Sequence, residues 1–210
     1  MSIRVPRNRP LLALLVTEAL ASDSRRAILR ELLASPDGLM ASELAKRLGL
    51  TLPTILSHID KLAAAGLVRA VPYRRGGKVY KKYRAAGRRV AMDVDLALLS
   101  SIPPREVLEE KLASLVDKAR EKGELPETMD PASVREVLGV DPGEAVILAD
   151  YYNMSRDRIV DILVGEAEKL FQGKSEVQLS EIEEKLRVTT YWAVKVAGRL
   201  EELGIMEVKY

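Results

Sequence analysis

The clearest chemical signal in this sequence is a set of basic side chains concentrated in one short stretch. Between Lys61 and Met92 the chain has 10 Lys or Arg residues and no Asp or Glu. Proteins bind nucleic-acid phosphates by neutralising them with such cations. The stretch therefore predicts a phosphate-binding surface, the alternative being a solvated hairpin whose charges only confer solubility. The residues assigned to phosphate contacts are Arg74, Arg75, Lys78, Lys81, Lys82 and Arg84.

Polar side chains just before this stretch fall on the outer faces of a predicted helix. Ile55, Ile59 and Leu62 recur at helical spacing and should face the core. The hydroxyls of Thr54 and Ser57 can donate or accept hydrogen bonds at base edges or phosphates, whereas Leu52 could contact only a thymine methyl. The outward polar set is Thr54, Ser57, His58 and Lys61. These residues predict a helix that reads the grooves of a duplex.

His58 is the only histidine, and the chain has no cysteine. A transition-metal site needs several such ligands, so we expect no metal site and assign His58 to a backbone or phosphate contact. No Gly-rich phosphate loop follows a strand, and no nucleophile, base and orienting group can be assembled. We therefore expect neither a cofactor nor an enzymatic activity.

The helix that carries these residues belongs to a pattern that occurs twice. Residues 42–68 and 180–206 align without a gap at a constant offset of 138 residues. Each copy reads as a short amphipathic helix, a tight turn, a longer helix and a terminating Gly, which is typical of a helix-turn-helix. Ser42–Leu48 is the first helix, and Gly49 ends it. Thr51 is expected to cap the second helix.

The flanking sequence predicts a mostly helical chain. Two apolar runs flank Arg75-Gly76-Gly77, which predicts a β-hairpin, and a hairpin after the second helix is the wing of a winged helix. The second copy is predicted to lack a wing. Further helices are predicted over residues 11–21, from a cap at Asp23 or Ser24, over 88–102, over 105–122, after Asp130-Pro131, after Asp141-Pro142, and from Ser155 to Phe171.

Charge divides the chain into two halves. Residues 1–92 contain 18 Lys or Arg against 6 Asp or Glu, whereas residues 93–210 contain 15 against 25. Such asymmetry predicts a nucleic-acid-binding half and a half with another role.

The predicted fold is mainly α with a small β-hairpin wing (α+β). The predicted regions are a disordered basic arm (1–10), a winged helix domain (11–90), a helical linker that could serve in dimerisation (91–130) and an acidic helical domain with the second helix-turn-helix-like unit (131–210).

The stretch ALASDSRRAILRELLAS (residues 19–35), followed by SELAKRLGLTLPTILSHIDKLAAAGLVRA, resembles the arsenical-repressor-type (ArsR-type) winged-helix transcription regulators. The resemblance covers about residues 11–90. It implies a symmetric homodimer that binds specific duplex sequences and controls transcription. The positions that match the family's recognition helix are Thr51, Thr54, Ser57, His58 and Lys61, and those that match its wing tip run from Arg75 to Lys78.

The chain also departs from that family. Many members sense metals through Cys pairs or late His residues, which this chain lacks, so metal sensing is not expected. Leu52 occupies a position that is often polar in the family, so base readout is expected to be modest. The acidic half has no counterpart in a minimal member and is expected to bind a protein partner or its own twin.

The expected function is therefore sequence-specific binding of double-stranded DNA by a transcription regulator. The alternative is an architectural or assembly protein with paired winged helices, active in chromosome organisation or basal transcription.

No apolar run approaches the roughly 20 residues of a membrane span, so we expect no membrane partner and a cytoplasmic location. The chain has only two Asn and two Gln against 30% charged residues, which resembles thermophile composition.

Overall fold

The computed structural model describes residues 2–75 and 77–210, with the side chain of Arg75 also outside the description. The chain divides into two compact units, Met1–Leu99 and Ser100–Tyr210. The boundary lies within the predicted linker of residues 91–130. Helices with small two-stranded sheets make up both units, so the predicted mainly α fold with a small hairpin is confirmed.

The N-terminal unit begins with a short strand and contains five helices and four strands within its described residues. In chain order the elements are β1 (Ser2–Val5), α1 (Pro10–Ala21), α2 (Asp23–Ala34), α3 (Ala41–Leu48), α4 (Leu52–Ala64), β2 (Val68–Arg75), β3 (Lys78–Ala85), β4 (Arg89–Met92) and α5 (Leu96–Ser100). Their buried apolar faces form one core, which includes Val16, Ile28, Leu44, Ile55, Ile59 and Leu62.

Capping fixes the junction between α1 and α2. Ser22, and not the predicted Asp23 or Ser24, is the N-cap of α2, and its hydroxyl accepts a hydrogen bond from the Arg25 backbone N–H. The Arg25 side chain donates to the carbonyls of Glu18 and Ala19 at the end of α1. Helix ends leave carbonyls without intrahelical partners, so Arg25 stabilises the end of one helix from the start of the next.

Two predictions around the ends of this unit are wrong. Residues 1–10 are predicted to be disordered, yet β1 pairs in parallel with β4, with Ser2 opposite Arg89 and Val5 opposite Met92. Residues 88–102 are predicted to be one helix, but β4 occupies the first part and only α5 is helical. Helical spacing is a weak guide in so short a segment, and here the partner strand supplies hydrogen bonds that favour an extended backbone. Arg7 also forms an ion pair with Asp95, at 2.5 Å.

The turn between α3 and α4 follows its sequence signals. Gly49 ends α3 in the left-handed conformation at φ 66°, which glycine adopts without steric cost. Thr51 is the N-cap of α4, and its side chain accepts a hydrogen bond from the Thr54 backbone N–H. Ile55, Ile59 and Leu62 are buried as predicted. The short turn between the two helices is therefore fixed by the left-handed backbone of Gly49 and by the Thr51 cap.

The predicted hairpin is present and is tied to the helices at its base. β2 and β3 pair antiparallel with Val68 opposite Ala85 and Arg75 opposite Lys78. The backbone groups of Leu39 and Tyr83 exchange hydrogen bonds of 3.0 and 2.8 Å. The loop before α3 thus adds to the sheet and positions the hairpin, called the wing below, beside the helix-turn-helix.

The C-terminal unit is mostly helical. In chain order its described elements are α6 (Arg105–Lys122), α7 (Pro131–Leu138), α8 (Pro142–Met154), α9 (Arg156–Leu170), β5 (Glu176–Gln178), α10 (Leu179–Leu186), α11 (Thr190–Glu202) and β6 (Glu207–Lys209). Asp130 and Asp141 cap α7 and α8 ahead of a proline at the first helical position, as predicted. β5 and β6 pair in parallel.

The apolar stripe of α6 packs inside its own unit. Leu108, Leu112, Leu115 and Ala119 are all buried, and α6 lies against α7, α8 and α9. The helical spacing of this stripe alone is compatible with packing inside the unit or against a second subunit. In the structure, burial within the C-terminal unit accounts for it.

A buried tryptophan anchors the loop between α6 and α7. The indole N–H of Trp192 donates to the Pro126 carbonyl at 3.0 Å, and the Tyr152 hydroxyl donates to the same oxygen. The two rings meet edge to face with centroids 6.3 Å apart, and neither side chain is exposed. Leu125 also forms a parallel bridge with Val188. This loop is thus fastened across the N-terminal half of α11.

Candidate nucleic-acid interface

The outward face of α4 is narrower than the sequence predicts. Ser57 and Lys61 are exposed, whereas Thr54 and His58 are only half-exposed. The Thr54 hydroxyl lies 2.7 Å from the hydroxyl of Thr51, so both predicted readers are engaged in the helix cap. Of the five residues predicted to read DNA, Ser57 and Lys61 are therefore the two that are exposed and are not engaged in the helix cap.

Leucine side chains share that outward face. Leu52 is 45% exposed and Leu56 is 37% exposed, and residues four apart lie on the same side of a helix. Sequence reasoning identified Leu52 but missed Leu56. The spacing from Leu52 is the signal that could have found it. Thymine methyl groups are the apolar feature of a major groove, so they are the groups there that this pair fits chemically.

His58 lies at the edge of the core and not on the open face. Its Nδ1 atom is buried and has no hydrogen-bond partner among the residues that the structure describes. Burial lowers the pKa of His58 below its ordinary value, and the nearby charges of Arg25 and Lys61 lower it further. The imidazole is therefore neutral at pH 7, which removes it from the cationic groups available to phosphate.

This environment predicts a pH-dependent stability. Because the pKa of His58 is lowered in the folded chain, its contribution to stability is complete above the unfolded value near 6.5 and is lost as pH falls through the lowered folded value. We expect the free energy of unfolding of the N-terminal unit to fall between pH 7 and pH 5. The fall should be smaller in His58→Gln, which has no proton to gain. Urea titrations at several pH values measure both, and identical profiles would contradict the assignment.

The wing carries cations on both of its faces. Residues opposite each other in an antiparallel pair share a face, and successive residues alternate between faces. One face carries Arg69, Lys78, Lys82 and Arg84, and the other carries Arg74 and Lys81. The backbone pairing places Arg75 opposite Lys78. The predicted cations are thus brought together on one hairpin, and Arg74, Lys78 and Lys81 are exposed near its tip.

Arg84 has a structural contact that distinguishes it from the other wing cations. Its guanidinium donates to the Asp37 carbonyl at 3.3 Å, and its side chain packs against Gly38. A Cβ on Gly38 would lie 2.8 Å from both the Arg84 side chain and the Tyr83 carbonyl, and Gly38 has φ 78°. Arg84 therefore holds the loop before α3 against the base of the wing.

Comparison with known families is consistent with this geometry. Residues 20–71 match a family of helix-turn-helix domains. The chain carries a helix-turn-helix domain. The match spans α2, α3, α4 and the first half of β2, so it includes the predicted reader residues and stops before the wing tip. Comparison with curated proteins finds no match.

A helix-turn-helix domain is a DNA-binding domain that is typical of transcription regulators. DNA is therefore the partner of the N-terminal unit, and transcription regulation is the corresponding function. Among the residues that the structure describes, no helix is both long and apolar enough to cross a membrane.

Proposed function

We propose that the chain is an ArsR-type, homodimeric regulator that binds specific double-stranded DNA sequences. Helix α4 enters the major groove, with Ser57 and Lys61 as the principal polar readers. The wing lies along the backbone or in the minor groove, where narrow grooves attract cations. The observation that carries this proposal is the acid-free run from Lys61 to Met92, which covers the end of α4, both strands of the wing and β4.

The dimeric state is supported by exposed apolar side chains at the end of the N-terminal unit. Val90, Met92, Val94 and Leu96 are large apolar residues at alternate positions, and Leu96 is 74% exposed. Contiguous exposed apolar residues mark interaction surfaces in soluble domains. A second copy of the same surface would cover them in a symmetric dimer, and two α4 helices would then reach two half-sites of one operator.

Fluorescence anisotropy across a salt series tests sequence-specific binding. A duplex from the region upstream of the protein's own coding sequence is compared with a scrambled duplex of equal length. We expect tighter binding to the native duplex and a preference that persists at higher salt. Ser57→Ala and Lys61→Ala should change the preference between duplexes, whereas the matched exposed control Ala64→Ser should not. Equal affinities of the wild-type chain for both duplexes would count against a specific regulator with this operator.

A second candidate function rests on the C-terminal unit. Helices α10 and α11 have the same lengths as α3 and α4 and begin 138 residues later, which supports a second helix-turn-helix-like module. Glu184 and Glu202 stand where the first copy has Lys46 and Ala64, so the flanks of this module would repel phosphate. An architectural protein would use such a module to bind another protein. Stable co-purification of a partner with residues 100–210 would favour this function.

A further inference from the structure

Two tyrosines occupy the exposed part of the wing. Tyr73 in β2 lies directly opposite Tyr80 in β3, so both rings project from the same face. Tyr73 is 37% exposed and Tyr80 is 41% exposed. A large aromatic side chain gains most from burial, so two of them on an open hairpin need an explanation.

Neither the core nor a contact between the two rings supplies that explanation. Tyr83, the third tyrosine of the wing, alternates onto the other face and packs against the core of the unit, whereas Tyr73 and Tyr80 are not part of that cluster. Cross-strand aromatic pairs can stabilise a hairpin by contact between their rings. Among the described residues, however, the ring-to-ring contacts are those of Tyr152, Tyr191 and Trp192.

The surroundings of the two rings are cationic. On the same face, Val71 pairs with Lys82, and Lys78 lies beyond Tyr80 toward the tip. The Lys82 ammonium lies 4.4 Å from the centre of the Tyr73 ring. In the part of the chain that the structure describes, the acid that forms an ion pair with a cation of this face is Asp37, which lies at the base of the wing, 4.0 Å from Arg84. The rings therefore sit in a field that attracts a polyanion.

Exposed aromatic rings between cations form the arrangement that binds single strands. Cations follow the backbone, and rings stack on bases whose faces are free. The bases of an intact duplex are already stacked on one another and offer only their edges. The two tyrosines thus have no use for their ring faces in ordinary groove binding.

We propose that the Tyr73–Tyr80 face of the wing binds unpaired bases of single-stranded nucleic acid, with Lys78 and Lys82 on the flanking phosphates. This activity goes beyond duplex binding by α4. It gives the protein a means to hold a strand that is locally separated from its complement.

Anisotropy with fluorescein-labelled oligothymidylate of 20 nucleotides tests the proposal. The double variant Tyr73→Leu/Tyr80→Leu keeps apolar side chains on the hairpin but removes the rings, and Tyr73→Phe/Tyr80→Phe keeps the rings. We expect the Leu variant to lose roughly five- to 150-fold in affinity per stacked base and the Phe variant to stay within about threefold. All three proteins should bind a duplex of 20 base pairs within about threefold of one another.

Oligodeoxyuridylate and oligouridylate of the same length, which share the base uracil, distinguish the sugar. Tighter binding to either oligonucleotide supports a single-strand site and identifies DNA or RNA as its preferred ligand. Absence of measurable binding to both by the wild-type chain would overturn the proposal. So would an equal loss on single strand and duplex in a folded Leu variant, because the tyrosines would then only support the hairpin.

Photo-cross-linking decides the case in which the Leu variant does not fold. The wild-type chain is irradiated with a 20-nucleotide strand that carries 5-iodouracil, and the adducts are located by mass spectrometry. Adducts on Tyr73 or Tyr80 support the proposal. Adducts confined to other residues overturn it.

Discussion

Neutralising three cations near the tip of the wing is expected to lower duplex affinity by about 500-fold at 0.1 M salt. The variant is Arg74→Gln/Lys78→Gln/Lys81→Gln, and all three side chains are exposed. Each phosphate contact releases counterions and contributes about 0.9 to the slope of log K against log salt. Three lost contacts therefore make the slope shallower by about 2.7, which corresponds to about 500-fold at 0.1 M if the difference vanishes near 1 M. Anisotropy titrations at four or more salt concentrations measure both quantities.

A matched control separates local contacts from total charge. Lys118→Gln/Arg135→Gln/Lys169→Gln removes three exposed cations from the C-terminal unit, with the same change in net charge. We expect its duplex affinity to stay within about threefold of wild type, because the proposed phosphate contacts belong to the wing and only the net charge would change. If both triple variants lost affinity equally, the wing would have no special role in binding.

Trp192→Ala is expected to lower the free energy of unfolding of the C-terminal unit by about 3–5 kcal/mol. The side chain is fully buried, so its removal leaves a cavity and deprives the Pro126 carbonyl of one of its two donors. The loss of the ring also frees the loop between α6 and α7. Urea denaturation followed by far-UV circular dichroism measures the change, since the chain has no other tryptophan for fluorescence.

Trp192→Phe distinguishes packing from the hydrogen bond. It keeps an aromatic ring against Tyr152 but lacks the N–H donor, and the Tyr152 hydroxyl remains on the Pro126 carbonyl. We expect a loss of about 1–2 kcal/mol, well below that of the Ala variant. Losses under about 1 kcal/mol for Trp192→Ala would mean that the loop does not depend on this anchor.

Sequence signals with a local physical cause predicted the structure well. Thr51, Asp130 and Asp141 were identified as caps because their side chains accept backbone N–H groups of the helix that follows, and Gly49 because it tolerates a left-handed backbone. The hairpin followed from its glycine turn. The buried face of α4 followed from helical spacing.

Non-local contacts account for what the sequence did not predict. β1 forms because β4 supplies its partner strand 87 positions later in the chain. A pattern of four residues cannot indicate so distant a partner. His58 and Ser57 are neighbours in sequence and similar in polarity, yet Ser57 is exposed whereas His58 is partly buried and feels the charge of Arg25 in α2. Likewise, the charge pattern that assigned Arg84 to phosphate contains no sign of its hydrogen bond to the Asp37 carbonyl.

The pairing of β1 with β4 determines the order in which the N-terminal unit can be completed during synthesis. Ser2 must wait for Arg89 to emerge from the ribosome. At about 5–20 residues per second, this delay lasts roughly 4–20 s. Helices α1 to α4, by contrast, have one another and the wing as packing partners by the time the wing has formed. The first strand to be made is thus among the last parts of the unit to be placed.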